Sequence, residues 1–164
     1  MSKPAARVQV FGIVPAAGSS RRMGRPKPSL PYGDSTMVGV VARTLLNVDL
    51  DGVVVVTRSE LAASLDLPSD PRIVIVYNDD ANSEMIDSVR AGLTRLTELE
   101  SPHRLPAPFS VGGPAIDNRH STIDNPRRPS VMVGVLIVPA DMPAIRVETY
   151  RACLAVFAVD PESL

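Results

Sequence analysis

An α/β fold, with a mostly parallel sheet between two layers of helices, is predicted by two observations. Four short runs are apolar throughout and rich in β-branched residues, and helical patterns alternate with them along the chain. Strands that are apolar on both faces are buried on both faces, and connecting them through helices gives a three-layer α/β/α arrangement. The length of 164 residues, with 45% apolar and 21% charged residues, suits one globular domain spanning 1–164.

The elements follow in order. Val8 to Pro15 is a β-branched run that ends in Ala16-Ala17-Gly18, as a buried strand running into a loop should. Residues 36–48 carry apolar side chains at helical spacing behind Ser35 and Thr36, both candidate caps. Val53 to Thr57 is a second strand run, and Glu60 to Leu67 reads as a short helix. Ile73 to Tyr77 is the third strand. The spacing of Ile86, Val89, Leu93 and Leu96 predicts a longer helix over about Glu84 to Leu99. Val131 to Val138 is the fourth strand run, and Val147 to Val159 has a helical pattern in which Cys153 is expected to be buried as a small hydrophobe.

Residues 101–130 break this alternation, holding six of the 16 prolines, both histidines and no apolar periodicity. They read as a long loop or disordered insertion, since unstructured loops beyond ~15 residues are usually lids or insertions.

Net charge is -1, from 17 Lys plus Arg against 18 Asp plus Glu, so nothing in the overall charge favours nucleic acid or an anionic membrane. Any anion site must be local. The single cysteine excludes an internal disulfide or a multi-cysteine zinc site and suits the reducing cytoplasm. The longest apolar run, Val131 to Ala140, is far shorter than the ~20 residues of a transmembrane helix. Gln9, Gly12 and Pro15 interrupt the only stretch resembling a secretory signal. His103 and His120 have no Cys or acidic cluster at ligand spacing, which argues against a histidine metal site. The oligomeric state leaves no signature in these residues.

In parallel α/β sheets ligands bind where loops leave the carboxyl ends of the strands, so function is expected just after residues 15, 57, 77 and 138. The first of these loops concentrates cations. Arg21, Arg22, Arg25 and Lys27 lie close together beside Gly18, Ser19, Ser20 and Gly24, with no acid until Asp34. Glycines let backbone N–H groups approach phosphate oxygens, while Arg offers a planar fork and Lys a point charge. Neither the Walker A spacing nor G-x-G-x-x-G occurs, so kinase, GTPase and dehydrogenase readings lose support.

Asp141 follows the fourth strand run in a turn bounded by Pro139 and Pro143. Mg²⁺ commonly binds one or two carboxylates plus substrate phosphates and waters, so one Asp near a phosphate loop is chemically adequate. Asn78 ends the third strand. Ser83 is a candidate cap for the helix that follows, and Ser88 lies one turn further in, where it can reach a base or ribose. Asp79 and Asp80 read as solvated turn residues, and Tyr32 as a residue that closes the loop.

Pro15-Ala-Ala-Gly-Ser-Ser-Arg-Arg-Met-Gly24 followed by Pro26-Lys27 resembles the signature of MobA-like NTP transferases, closest to the molybdenum cofactor cytidylyltransferases. Ser88-Val-Arg-Ala-Gly-Leu93 resembles that family's S-x-x-A-G-L helix, and Ala140-Asp-Met-Pro143 its metal-binding turn. The resemblance implies a glycosyltransferase-A-like fold and Mg²⁺-dependent transfer of a nucleotidyl group, with release of pyrophosphate, to a phosphorylated acceptor such as molybdopterin. It assigns Ala16, Ala17 and Gly18 to the base and ribose, Ser88 to the nucleobase, Arg22 and Lys27 to the triphosphate as catalytic cations, and Asp141 to the metal; Ser19, Ser20 and Asn78 are expected in the same nucleotide site. Ala17 resembles the form associated with CTP. Relatives continue with a further strand and helix that carry a second metal-ligating acid and much of the acceptor site. Asp160-Pro-Glu-Ser-Leu164 resembles none of it, so the resemblance implies a C-terminally shortened chain.

Two alternatives share these residues. A methylerythritol-phosphate cytidylyltransferase-like enzyme has the same Pro-Ala-Ala-Gly opening, and a non-catalytic nucleotide-binding protein would suit the short C-terminus.

Overall fold

The computed structural model describes residues 8–18, 26–100 and 132–159; the expected loop 101–130 lies outside them, as do Ser19, Ser20, Arg21, Arg22 and Arg25. The first strand, β1 (Val8–Pro15), is followed by a 3-10 turn over Lys27–Ser29 and a two-strand hairpin, β2 (Pro31–Tyr32) with β3 (Ser35–Thr36). Then come α1 (Met37–Leu46), β4 (Gly52–Thr57), a second 3-10 segment (Ser59–Ser64), β5 (Ile73–Tyr77), α2 (Met85–Glu100), β6 (Met132–Ile137) and α3 (Val147–Val159).

All four long strands are parallel, in the order β5-β4-β1-β6. Alternation along the strands divides the core into two halves. On one face Val14, Ala16, Val53 and Val55 pack with Val38, Val41 and Leu45 of α1 and with Tyr150 of α3. On the other, Ile13, Val54 and Val56 pack against Leu96 of α2. Each fully buried Val, Leu or Ile contributes roughly 1.5–3 kcal/mol of hydrophobic stabilisation. β4 is buried along its whole length, as expected for an interior strand of a three-layer fold.

Local chemistry sets the element boundaries. Thr36 caps α1, its hydroxyl accepting from Gly39 N at 3.2 Å. Gly33 takes φ +65°, the left-handed conformation that the two-residue turn of the β2–β3 hairpin requires. This hairpin was not expected from the sequence, because strands of two residues leave no alternating pattern. Asp66 also has positive φ, and its carboxylate accepts from Ser35 Oγ at 2.5 Å and Arg43 Nη2 at 3.0 Å, which ties the start of α1 to the turn before β5.

Two expectations are corrected. The short helix expected over 60–67 is a 3-10 segment, Ser59–Ser64, with no fully buried residue; only Leu61 packs against the core, too little apolar contact to hold a longer α-helix. Cys153 is exposed rather than buried. Helix α3 is apolar on most of its circumference, but only the stripe with Val147, Tyr150 and Leu154 meets the core, and Cys153 falls outside it. Among the described residues no helix is long and apolar enough to cross a membrane.

Candidate functional site

The strand order places the site. From β1 the chain moves outward through β4 to β5, then returns to the opposite side of β1 as β6. Strand order thus reverses between β1 and β6, and the crevice at their carboxyl ends is the topological switch point at which parallel α/β sheets bind ligands. An open cleft of ≈ 600 Å³, counting its mouth, lies there.

One wall is the backbone of Pro15, Ala16, Ala17 and Gly18, with Lys27 and Pro28 above it. The opposite wall is Pro139, Ala140 and Asp141, and the start of α2 supplies Ser83, Glu84, Met85 and Ser88. The first wall is rigid at its base: Ala16 N donates to Val56 O at 2.7 Å, which carries the strand ladder one residue past β1. Pro28 is buried, and Leu30 N closes the turn on Lys27 O at 3.0 Å, so the Lys27 backbone is pinned behind an exposed side chain. Asp141 is presented in the same way, between buried Ala140 and a turn in which Met142 N donates to Pro139 O.

Lys27 Nζ and Asp141 Oδ2 stand 3.4 Å apart although 114 residues separate them in the chain. Both side chains are nearly half exposed, at 43% and 44%, so the ion pair contributes only about 0–1 kcal/mol and is readily opened by an incoming anion or cation.

At the start of α2 the capping differs from the sequence expectation. Asp87 Oδ2 accepts from Glu84 N at 2.9 Å, the return half of a capping box, so Glu84 rather than Ser83 sits at the cap. Ser83 lines the cleft instead. Glu84 was missed as a lining residue; the apolar spacing that locates a helix carries no information about which end meets a cavity. Ser88 is 3% exposed, and Asn78 Nδ2 donates to its Oγ at 3.3 Å. Asn78 does not itself line the cleft.

Asp79 and Asp80 have partners rather than being simply solvated. Asp79 Oδ1 accepts from Ser59 N at 2.7 Å and Ser59 Oγ at 3.0 Å, and Asp80 Oδ1 accepts from Asn82 N at 2.8 Å. The first of these joins the turns after β4 and β5, and the residues after Thr57, expected to carry function, do not line the cleft.

Of the residues singled out in the sequence, the structure gathers Ala16, Ala17, Gly18, Lys27, Ser88 and Asp141 around one cleft, with Asn78 behind Ser88. Ser19, Ser20 and Arg22 lie outside the described residues. No group of three or more His, Cys, Asp or Glu able to hold a metal occurs among the described residues. Asp141 therefore offers a single carboxylate in the cleft.

The sequence matches the family described as the MobA-like NTP transferase domain over residues 12–164. No curated protein sequence matches. Among solved structures the chain is similar to Rv0371c from Mycobacterium tuberculosis H37Rv, with 21% identity and a TM-score of 0.58 over 92% of this chain and 61% of that one. A complex of Rv0371c with manganese is similar at 21% identity and TM-score 0.56, covering 90% of this chain and 59% of that one. A nucleotidyl transferase from Methanothermobacter thermautotroptrophicus, Mth528, is similar at 19% identity and TM-score 0.56, covering 88% and 56%. The chain therefore spans about three fifths of the length of these structures. Their shared feature with this chain is the α/β fold.

Proposed function

We propose, from the premise that the chain belongs to the MobA-like NTP transferase family, that it binds a nucleoside triphosphate in the β1/β6 cleft and transfers the nucleotidyl group to a phosphorylated acceptor. CTP is the favoured donor and molybdopterin the favoured class of acceptor, on the motif resemblance of Ala16 to Lys27. The setting is cytoplasmic. The observation that carries the reading is the approach of Lys27 to Asp141 at 3.4 Å at the sheet's switch point, between the Ala16-Ala17-Gly18 wall and Ser88.

In the reaction an acceptor phosphate oxygen forms a bond to the α-phosphorus as the bond from that phosphorus to the bridging oxygen of the β-phosphate breaks, and pyrophosphate leaves with the electron pair. The acceptor is already an anion near neutrality because its second pKa is about 6, so no general base is needed. Alignment and charge neutralisation are what the protein must supply. The Ala16-Ala17-Gly18 backbone, with Ser19 and Ser20, holds base and ribose at short range, because small residues allow close approach. Lys27 and Arg22 balance the phosphate charge. Asp141 would hold Mg²⁺ or another divalent cation, which when bound supplies further neutralisation of the phosphates. The manganese complex of Rv0371c supports a divalent ion here.

Calorimetric titration of CTP and GTP, with and without Mg²⁺, followed by pyrophosphate release across phosphorylated acceptors, tests the proposal. CTP binding that is strengthened by Mg²⁺, with pyrophosphate release on adding the acceptor, is the expected result. Binding without release under every acceptor would leave a nucleotide-binding protein, and absence of binding would refute the site.

A further inference from the structure

The described contacts of Ser88 account for only part of its hydrogen-bonding capacity. A serine hydroxyl has one hydrogen to donate and two lone pairs to accept with. Asn78 Nδ2 donates into one lone pair at 3.3 Å. Ser88 is 3% exposed and lines the cleft, and among the described residues no acceptor faces its hydrogen. A buried hydroxyl hydrogen without a partner is costly, so a ligand that offers an acceptor at this point recovers that cost.

The Asn78 side chain is itself held from behind. Asn78 N donates to Thr57 O at 2.8 Å, and the next residue, Asp79, clamps Ser59 through two hydrogen bonds. The amide therefore approaches Ser88 from an anchored strand end, and of the two residues only Ser88 lines the cleft.

We propose that Asn78 is a positioning residue: by donating to Ser88 Oγ it turns the Ser88 hydrogen into the cleft, so that Ser88 meets a carbonyl oxygen or unprotonated ring nitrogen of the nucleobase as a donor. This inference rests on the nucleotide reading of the cleft. It changes the role of Asn78 from a residue that touches nucleotide to one that acts through its neighbour.

Asn78→Asp is the informative variant, since it keeps the size of the side chain but replaces the donor with an acceptor. A carboxylate at this position takes up the Ser88 hydrogen and leaves only lone pairs for the ligand. The whole chain is titrated with CTP in excess Mg²⁺, as wild type, Asn78→Ala, Asn78→Asp, Ser88→Ala and the Asn78→Asp/Ser88→Ala double variant, and thermal melts are recorded for each. Ser88→Ala is expected to weaken binding roughly tenfold, the scale of one buried hydrogen bond. Asn78→Asp should weaken it at least as much in the wild-type background, but less than about threefold when Ser88 is already absent, because the two changes act on one bond. A structural role of Asn78 that does not run through Ser88, or a general effect of the added charge, would cost the same with and without Ser88, and that result overturns the proposal. So does an Asn78→Ala variant that melts earlier yet binds CTP as wild type does. If wild type binds no nucleoside triphosphate while folding normally, the reading of the cleft itself falls, and this inference with it.

Discussion

Replacing Asp141 by asparagine is expected to change nucleotide affinity in opposite directions depending on whether a divalent cation is present. The carboxylate stands 3.4 Å from Lys27 Nζ. Two unit charges at such a distance interact by about 1 kcal/mol in bulk water and several times more at a low effective dielectric. With both side chains nearly half exposed, at 43% and 44%, the realistic figure is at the low end, about 0.5–1 kcal/mol after screening. Without a metal, the carboxylate engages Lys27 and repels the triphosphate. Asp141→Asn removes both effects, and CTP measured in EDTA should bind about two- to fivefold more tightly, since each 1.4 kcal/mol is worth about tenfold. With saturating Mg²⁺ the same change removes an anionic ligand. A lost charge-assisted contact of about 1.5–3 kcal/mol should weaken CTP by roughly ten- to a hundredfold. The fold itself should barely notice: ~1 kcal/mol corresponds to a shift of only about 2–4 °C in melting temperature for a chain of this size. Paired calorimetric titrations in EDTA and in Mg²⁺ read the two signs directly. A shift in the same direction under both conditions would show that Asp141 neither competes for Lys27 nor serves a metal, and the charge argument would be refuted.

Three further perturbations follow from the packing. A methyl group on Gly92 would lie 2.8 Å from Cγ2 of Ile13, a fully buried residue of a central strand that cannot retreat. Gly92→Ala should therefore be net destabilising by about 1 kcal/mol, overpacking of about 1–3 kcal/mol outweighing a helix-propensity gain of about 1 kcal/mol, and urea denaturation that shows a stabilised variant would contradict the tight α2–β1 contact. Tyr150 is 4% exposed with no partner for its hydroxyl among the described residues, and burial, followed by the nearby Cys153 charge, raises its pKa above the usual tyrosine value. Its neutral form is thus favoured by folding: the contribution is complete below about pH 10, where unfolded tyrosine titrates, and is lost as pH rises through the higher folded value. Tyr150→Phe should be neutral or stabilising by up to about 1 kcal/mol at pH 7 and should flatten the alkaline decline, so an unchanged decline in pH-dependent melts would count against it. Exposed Cys153 should react with a thiol reagent in the folded protein at a rate denaturant raises only modestly, and protection of the thiol until unfolding would place it back in the core.

The long elements were legible because their signals are local. An unbroken β-branched run such as Val53–Val56 can satisfy its side chains only between two layers, and the spacing of Val89 and Leu96 puts both on one stripe of a helix, so strand and helix could be assigned without knowing their neighbours. Lys27 and Asp141, which line one cleft, stood out for the same reason, as the last of a run of cations and a proline-bounded acid. Cys153 and the Ser59–Ser64 segment were misjudged where local pattern is ambiguous: an all-round apolar helix does not announce which stripe will be covered, and a six-residue segment takes its form from its surroundings.

Which long strands exist and which residues make up each loop were determined by the sequence alone, through periodicity and side-chain chemistry over a few consecutive residues. Tertiary structure alone decided that β6 lies against β1, and with it that Lys27 meets Asp141, that α2 brings Ser88 to the same cleft and that Asn78 stands behind it. Strand order depends on how whole helices cover the two faces of the sheet, a choice made by packing between residues far apart in the chain, and no short window of sequence encodes it.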